Sequence, residues 1–122
     1  MDFRDVIAAY DRAWNEPDRA VQRRLIDSAF TDDAELIEPR GRFAGPAAIS
    51  ERLAGFQERF PGGRVEITTG IDEHHGYARY GWTLRGGDGA VLLEGIDVCE
   101  LAPDGRLRRV VMFFGNLPDA PA

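Results

Sequence analysis

The stretch "LLEGIDVCEL", Leu92 to Leu101, holds the side chain with the most chemical promise, Asp97. Side chains on a strand alternate between faces, so Asp97 shares a face with Leu93, Gly95, Cys99 and Leu101. Desolvation among such neighbours penalises a carboxylate and favours its neutral form, which can donate a hydrogen bond. The competing reading is an outward aspartate paired with an arginine, Arg79 for instance. Two more ionisable residues sit in comparable company. Tyr10 lies on a stripe with Phe3, Val6, Ile7 and Trp14, where its ring either packs as ordinary core or sends a hydroxyl into a site. Glu38 shares parity with Ala34 and Leu36, so it either faces the interior or ends its strand in water beside Pro39. Two carboxyls and a phenol so placed are candidates for moving a proton.

Other chemistries are closed off by what the chain lacks. There is no lysine, which excludes Schiff bases to substrate or to pyridoxal phosphate. Ser28 and Ser50 fall in helical stretches, outside any glycine-flanked nucleophile elbow. Cys99 is the only cysteine, so no intrachain disulfide and no cysteine-rich zinc cage can form. His74 and His75 are adjacent and followed by Gly76, the pattern of a turn. No metal and no cofactor is therefore expected. Carboxylates, tyrosines and the lone thiol remain as proton carriers.

The net charge of −6 argues against a nucleic-acid partner, which would need clustered basic residues, and suits an uncharged or amphiphilic small molecule. No apolar run is long enough to span a bilayer, and Asp2, Asp5 and Asp11 interrupt any secretory signal, so no membrane association and a cytoplasmic location are expected.

These residues need a scaffold, and 122 residues suit one domain, taken as 1–122. The stripe from Phe3 to Trp14 predicts a first helix. Asp18, after Pro17, caps a second with Val21, Leu25 and Ile26 inward, ending near Ala29. "AELIEP" predicts a short strand stopped by Pro39, with a turn at Gly41. "GPAAISERLAGFQERF" starts a third helix at Pro46 and turns Ile49, Leu53, Phe56 and Phe60 to the core. Four strands follow: "RVEITTGID" to about Glu73, "YARYGWTLR", "VLLEGIDVCEL" and "LRRVVMFFG", an antiparallel meander with turns at His75-Gly76, Gly86 to Gly89 and Pro103 to Gly105. "RGGDGA" precedes a strand and so reads as a hairpin instead of a phosphate loop. Three helices then a long sheet make an α+β fold with helices across one face. Gly81 and Gly95, inside strands, mark bulges or close approaches that let the sheet curve and enclose a pocket. Trp14, Trp82, Val110, Met112 and Phe114 are placed to line it, although they serve equally well as core.

The run "FTDDAELIEPRGRFAGPAAI", preceded by two helices and followed by four strands, resembles the cone-shaped, cystatin-like domain of the nuclear transport factor two superfamily. That superfamily includes SnoaL-like polyketide cyclases, scytalone dehydratase and ketosteroid isomerase, and the resemblance covers nearly the whole chain. It implies a curved, antiparallel or mixed sheet behind three N-terminal helices. Among these families the pattern of polar positions is most similar to ketosteroid Δ5-isomerase. Tyr10 precedes Trp14-Asn15, Glu38 precedes Pro39, Ile96-Asp97 sits on the penultimate strand, and "GRLRRVVMFFG" supplies Gly105, Arg106, Leu107, Phe114 and Gly115. The resemblance implies that Glu38 shuttles a proton while Tyr10 and a protonated Asp97 hold the enolate oxygen. The family usually has aspartate at the base position, a shorter segment between the residues matching Asn15 and Phe30, and a further tyrosine where Leu53 stands. It implies a small hydrophobic ligand, steroid- or polyketide-like. The alternative it leaves open is a SnoaL-like ligand-binding or cyclase- or hydrolase-type protein without isomerase activity. Apart from the resemblance, an exposed sheet face can pair with a second copy, so a homodimer is expected, and a chain serving only as a dimerisation module is a further alternative.

Overall fold

The computed structural model describes residues 2–121 and, among these, three helices and seven strands. Helix α1 (Phe3–Asn15) starts where the Asp2 carboxylate accepts from Arg4 N–H, and α2 (Arg19–Ala29) where Asp18 accepts from Ala20 and Val21 N–H. Val21 and Leu25 are only half buried on α2, because the helix rotates Gln22 into the core instead. Its amide donates to Ala13 C=O at 3.1 Å and its oxygen accepts from Ser50 at 3.3 Å, so one polar side chain ties α2 to both other helices. Helix α3 (Pro46–Arg59) begins after Gly45, whose φ of 87° would strain any residue with a Cβ.

The strands are β1 (Phe30–Glu38), β2 (Gly41–Ala44), β3 (Arg64–Ile67), β4 (Asp72–His74), β5 (Tyr77–Arg85), β6 (Val91–Leu101) and β7 (Leu107–Phe114). They form one sheet in the order β2-β1-β7-β6-β5-β3, with β4 also on β5. β3, β5, β6 and β7 run antiparallel as expected, whereas β1 joins β7 in parallel and makes the sheet mixed. Three boundaries differ from the sequence expectation. β1 begins at Phe30, four residues early, because Phe30 already pairs with Leu107 across an irregularity that absorbs the exposed Asp32 and Asp33. The turn lies at Pro39-Arg40, so Gly41 opens a short hairpin strand instead of forming the turn. "RVEITTGID" is two strands, since Thr69 leaves the ladder to accept from Gly81 N–H at 2.8 Å. His75 and Gly76 turn with positive φ, as the sequence suggested.

Helix α1 is pinned where it matters for the interior. Asn15 both donates to Val65 C=O at 2.6 Å and accepts from Val65 N–H at 2.9 Å, completing the edge strand β3, while Gln57 donates to the carbonyls of Trp14 and Glu16. These bonds fix the register at which Tyr10 and Trp14 meet the sheet. Gly95 is a close approach and not a bulge: a Cβ there would collide with the Trp82 indole and the Phe113 carbonyl. Gly95→Ala is expected to cost about 1–3 kcal/mol through overpacking, measurable by urea unfolding, and to shift tryptophan fluorescence as Trp82 moves. Among the described residues no helix is long and apolar enough to cross a membrane.

Candidate active site

Cross-strand register stacks the concave face of the sheet into layers. Leu84 faces Leu93; Trp82 faces Gly95, which faces Phe114; Tyr80 faces Asp97, which faces Met112; Ala78 faces Cys99, which faces Val110 and then Leu36. Because β1 is parallel to β7, two residues beyond Leu36 brings Glu38 level with Met112. One layer therefore carries Glu38, Met112, Asp97 and Tyr80 on four neighbouring strands. With strands about 4.8 Å apart, the Glu38 and Asp97 backbones are separated by roughly 10 Å, with Met112 between them.

Above this layer is a cavity of about 90 Å³, lined chiefly by Trp14, Phe56, Trp82, Leu93, Met112 and Phe114, with Arg40 and Arg52 also on its wall. Edge-to-face contacts of Trp14 on Phe56 at 5.4 Å and Trp82 on Phe114 at 5.8 Å hold the walls. Of the residues expected to line a pocket, Trp14, Trp82, Met112 and Phe114 do so. Val110 does not: it lies one layer deeper, fully buried between Leu36 and Cys99, and belongs to the core. A larger depression of about 350 Å³ lies on the convex side around Asp72, Tyr77, Arg79 and Val98, but its charged groups are exposed and Val98 points to the face opposite Asp97.

Asp97 faces inward, 3 % exposed, and Arg79 pairs with Asp72 instead. Asp97 Oδ2 accepts from the Tyr80 hydroxyl at 2.8 Å, whereas Oδ1 is buried without a partner. Burial pushes the Asp97 pKa up to about 7; the Tyr80 hydroxyl and the nearby Trp82 indole N–H pull it down, and the charge of Asp11 adds to the rise. The Trp82 N–H faces the carboxyl without completing a hydrogen bond. Tyr10 is fully buried, with its hydroxyl 4.0 Å from the Met112 sulfur, a weak partner, and its ring edge-on to Phe30 at 5.3 Å. Burial first, then the neighbouring Asp97 charge, raises its pKa well above the ordinary phenol value, so it stays a donor. Cys99, 3.9 Å from the Tyr80 hydroxyl, is pushed up by burial and by Asp97, which removes it as a nucleophile.

Glu38 is also buried, its side chain 1 % exposed, and both carboxylate oxygens lack a hydrogen bond. Its nearest charge is Arg52 on α3, at 3.5 Å. A buried polar atom left without a hydrogen bond costs about 1–3 kcal/mol, so three such acceptors on Glu38 and Asp97 and the Trp82 N–H donor within one region call for a ligand or a chemical role. None of Tyr10, Glu38 and Asp97 lies on the cavity wall itself. Met112 separates them from it, touching the Tyr10 hydroxyl with its sulfur while forming part of the lining.

The SnoaL-like domain profile matches residues 6–110 of this chain. The chain belongs to the SnoaL-like family. This SnoaL-like protein superposes on a crystal structure from Agrobacterium tumefaciens, provisionally described as an isomerase of the same family, with 28% identity, a TM-score of 0.86 and coverage of 92% of this chain and 96% of that one. A protein of unknown function with a cystatin-like fold from Methylobium petroleophilum is 26% identical, with a TM-score of 0.77 over 97% of this chain and 78% of its own. A structure from Sinorhizobium meliloti, provisionally described as a polyketide cyclase, shares the fold at 16% identity, with a TM-score of 0.72 over 93% of this chain and all of that one (100%). No curated protein matches the sequence.

Sequence reasoning missed Tyr80, Arg40 and Arg52 in this SnoaL-like site. Tyr80 gave little signal: counting back from the Arg85–Val91 pair at the hairpin sets it opposite Ile96, and only the register shift between Leu84 and Arg85 brings it to Asp97. Arg52 gave less, being one more arginine on an amphipathic helix, one turn before Phe56.

Proposed function

We propose that this SnoaL-like protein is an isomerase-type enzyme that moves a double bond in a small unsaturated ketone by acid–base proton transfer. The observation that carries the reading is the layer in which Glu38 and the Tyr80-bonded Asp97 flank Met112, with the Tyr10 hydroxyl against its sulfur. For a substrate to meet both acids the flexible Met112 side chain must turn aside and open the space between them. Glu38 removes the proton between carbonyl and alkene, the C–H electrons form the new double bond, and the carbonyl electrons move to oxygen. Tyr10 and neutral Asp97 donate to that oxygen. Glu38 returns the proton to the far alkene carbon, leaving the conjugated ketone and the original carboxylate. The cavity is below the roughly 300–1,000 Å³ usual for drug-sized ligands, which supports a substrate smaller than a steroid. The test is ultraviolet detection of the conjugated ketone formed from a small cyclic β,γ-unsaturated ketone.

One observation favours a second reading, ligand binding without turnover: the three ionisable groups lie behind the wall instead of on it. It expects the ligand to occupy the cavity with no product formed.

The convex face supports a homodimer in either case. Ile96 and Phe113 face each other across β6 and β7 at 46% and 58% exposure, with Val98 beside them and the Arg109–Glu100 and Arg109–Glu35 ion pairs farther along the strands. Phe113→Glu is expected to turn a dimer into a monomer in analytical ultracentrifugation; a wild type already monomeric at tens of micromolar would refute the dimer.

A further inference from the structure

The chemistry of the cavity wall is one-sided. Apart from Arg40 and Arg52 it is aromatic and aliphatic, and it carries no carboxylate, in a chain whose net charge is −6. Arg40 follows Pro39 in the turn after β1, is exposed, and forms no ion pair among the described residues. Arg52 is oriented from α3 by the Phe43 ring, 5.7 Å from its guanidinium carbon, and by Glu38 at 3.5 Å. That separation is too long for a strong hydrogen bond, so most of the five guanidinium N–H donors remain available. Two cations beside an apolar hollow recognise an anion with an apolar body, because the planar guanidinium fork matches a carboxylate. The volume limits the body: at about 10–15 Å³ per water-sized atom, 90 Å³ holds on the order of six to nine heavy atoms.

Building on the isomerase reading, we propose that the substrate is a small keto acid, its carboxylate held by Arg40 and Arg52 and its ketone directed to the Asp97 layer. The arginines act as specificity determinants and orient the molecule lengthwise. An anion drawn to Arg52 also competes for the guanidinium that faces Glu38, which couples binding to release of the base.

The charge requirement is tested with benzoate and benzamide, which match in shape and differ in charge, titrated into the intact protein by calorimetry with tryptophan fluorescence as a second signal. Benzoate is expected to bind about tenfold or more tightly than benzamide, and the gap should narrow with added salt. Arg40→Gln with Arg52→Gln should abolish the preference, so that benzoate binds no more tightly than benzamide. Arg40→Gln alone, at an exposed turn position that the fold does not depend on, should reduce it. Equal affinities, no binding of either probe, or a preference that survives both variants would overturn the proposal. Turnover plays no part in this measurement. An inactive protein that prefers benzoate would thus cost the isomerase reading alone, whereas an active protein with no charge preference would cost the keto acid alone.

Discussion

Replacing Glu38 with glutamine is expected to lower kcat for double-bond migration in a small β,γ-unsaturated ketone by about 10²–10⁴-fold, the usual contribution of a positioned general base. KM should change little, because glutamine keeps the shape and loses only the ability to take the proton in the transition state. The same substitution should not destabilise the fold. Both carboxylate oxygens are buried and unbonded, so a neutral amide removes a desolvated charge, and Arg52, about a quarter exposed, keeps water as a partner. Loss of activity with unchanged urea unfolding would separate chemistry from architecture. An unchanged kcat in a folded Glu38→Gln protein would remove Glu38 as the base.

The second large effect is a pH dependence traced to Asp97. Its folded pKa of about 7 lies above the ordinary 3.8, so between these values the folded state binds more protons than the unfolded one. The stability associated with neutral Asp97 is therefore complete below about pH 4 and is lost as pH rises through about 7. Three pH units at about 1.4 kcal/mol each amount to roughly 4 kcal/mol. Asp11, raised to about 6 by partial burial, shifts stability in the same direction over an overlapping window, so wild type minus Asp97→Asn isolates the Asp97 share. Asparagine keeps an oxygen for the Tyr80 hydroxyl and an N–H donor for the substrate, and it cannot ionise. Urea unfolding at pH 4.5 and 8 should show a wild-type loss that the variant lacks. Wild-type activity should fall above about pH 7 as the donor becomes a carboxylate, and this alkaline limb should disappear in Asp97→Asn. An equally pH-dependent variant would contradict both expectations.

What the sequence could reveal follows from the range of the interactions involved. Asp97 was legible as inward because strand parity is local and its neighbours Leu93, Cys99 and Leu101 are apolar. The helices α1 and α3 were legible for the same reason, through their spacing and the proline at Pro46. Tyr80 was not, since its role exists only once register sets it against Asp97. The parallel pairing of β1 with β7, which brings Glu38 level with Met112, joins residues more than seventy positions apart. β2 is four residues between a proline turn and a glycine, too short for a pattern. Cavity size depends on how Trp14, Trp82, Phe114 and Met112 fill the cone, a packing result that no periodicity encodes. Val110 shows the converse, with correct parity and the wrong depth.

Phenol, whose hydroxyl imitates the enolate oxygen, offers the most direct examination of the layer in a crystal structure of the complex. The expected result is a displaced Met112 side chain and a phenol oxygen within about 3 Å of both the Tyr10 hydroxyl and Asp97 Oδ1. A phenol confined to the outer cavity, with Met112 in place and its oxygen turned to Arg40 or Arg52, would show that the buried acids never meet a ligand.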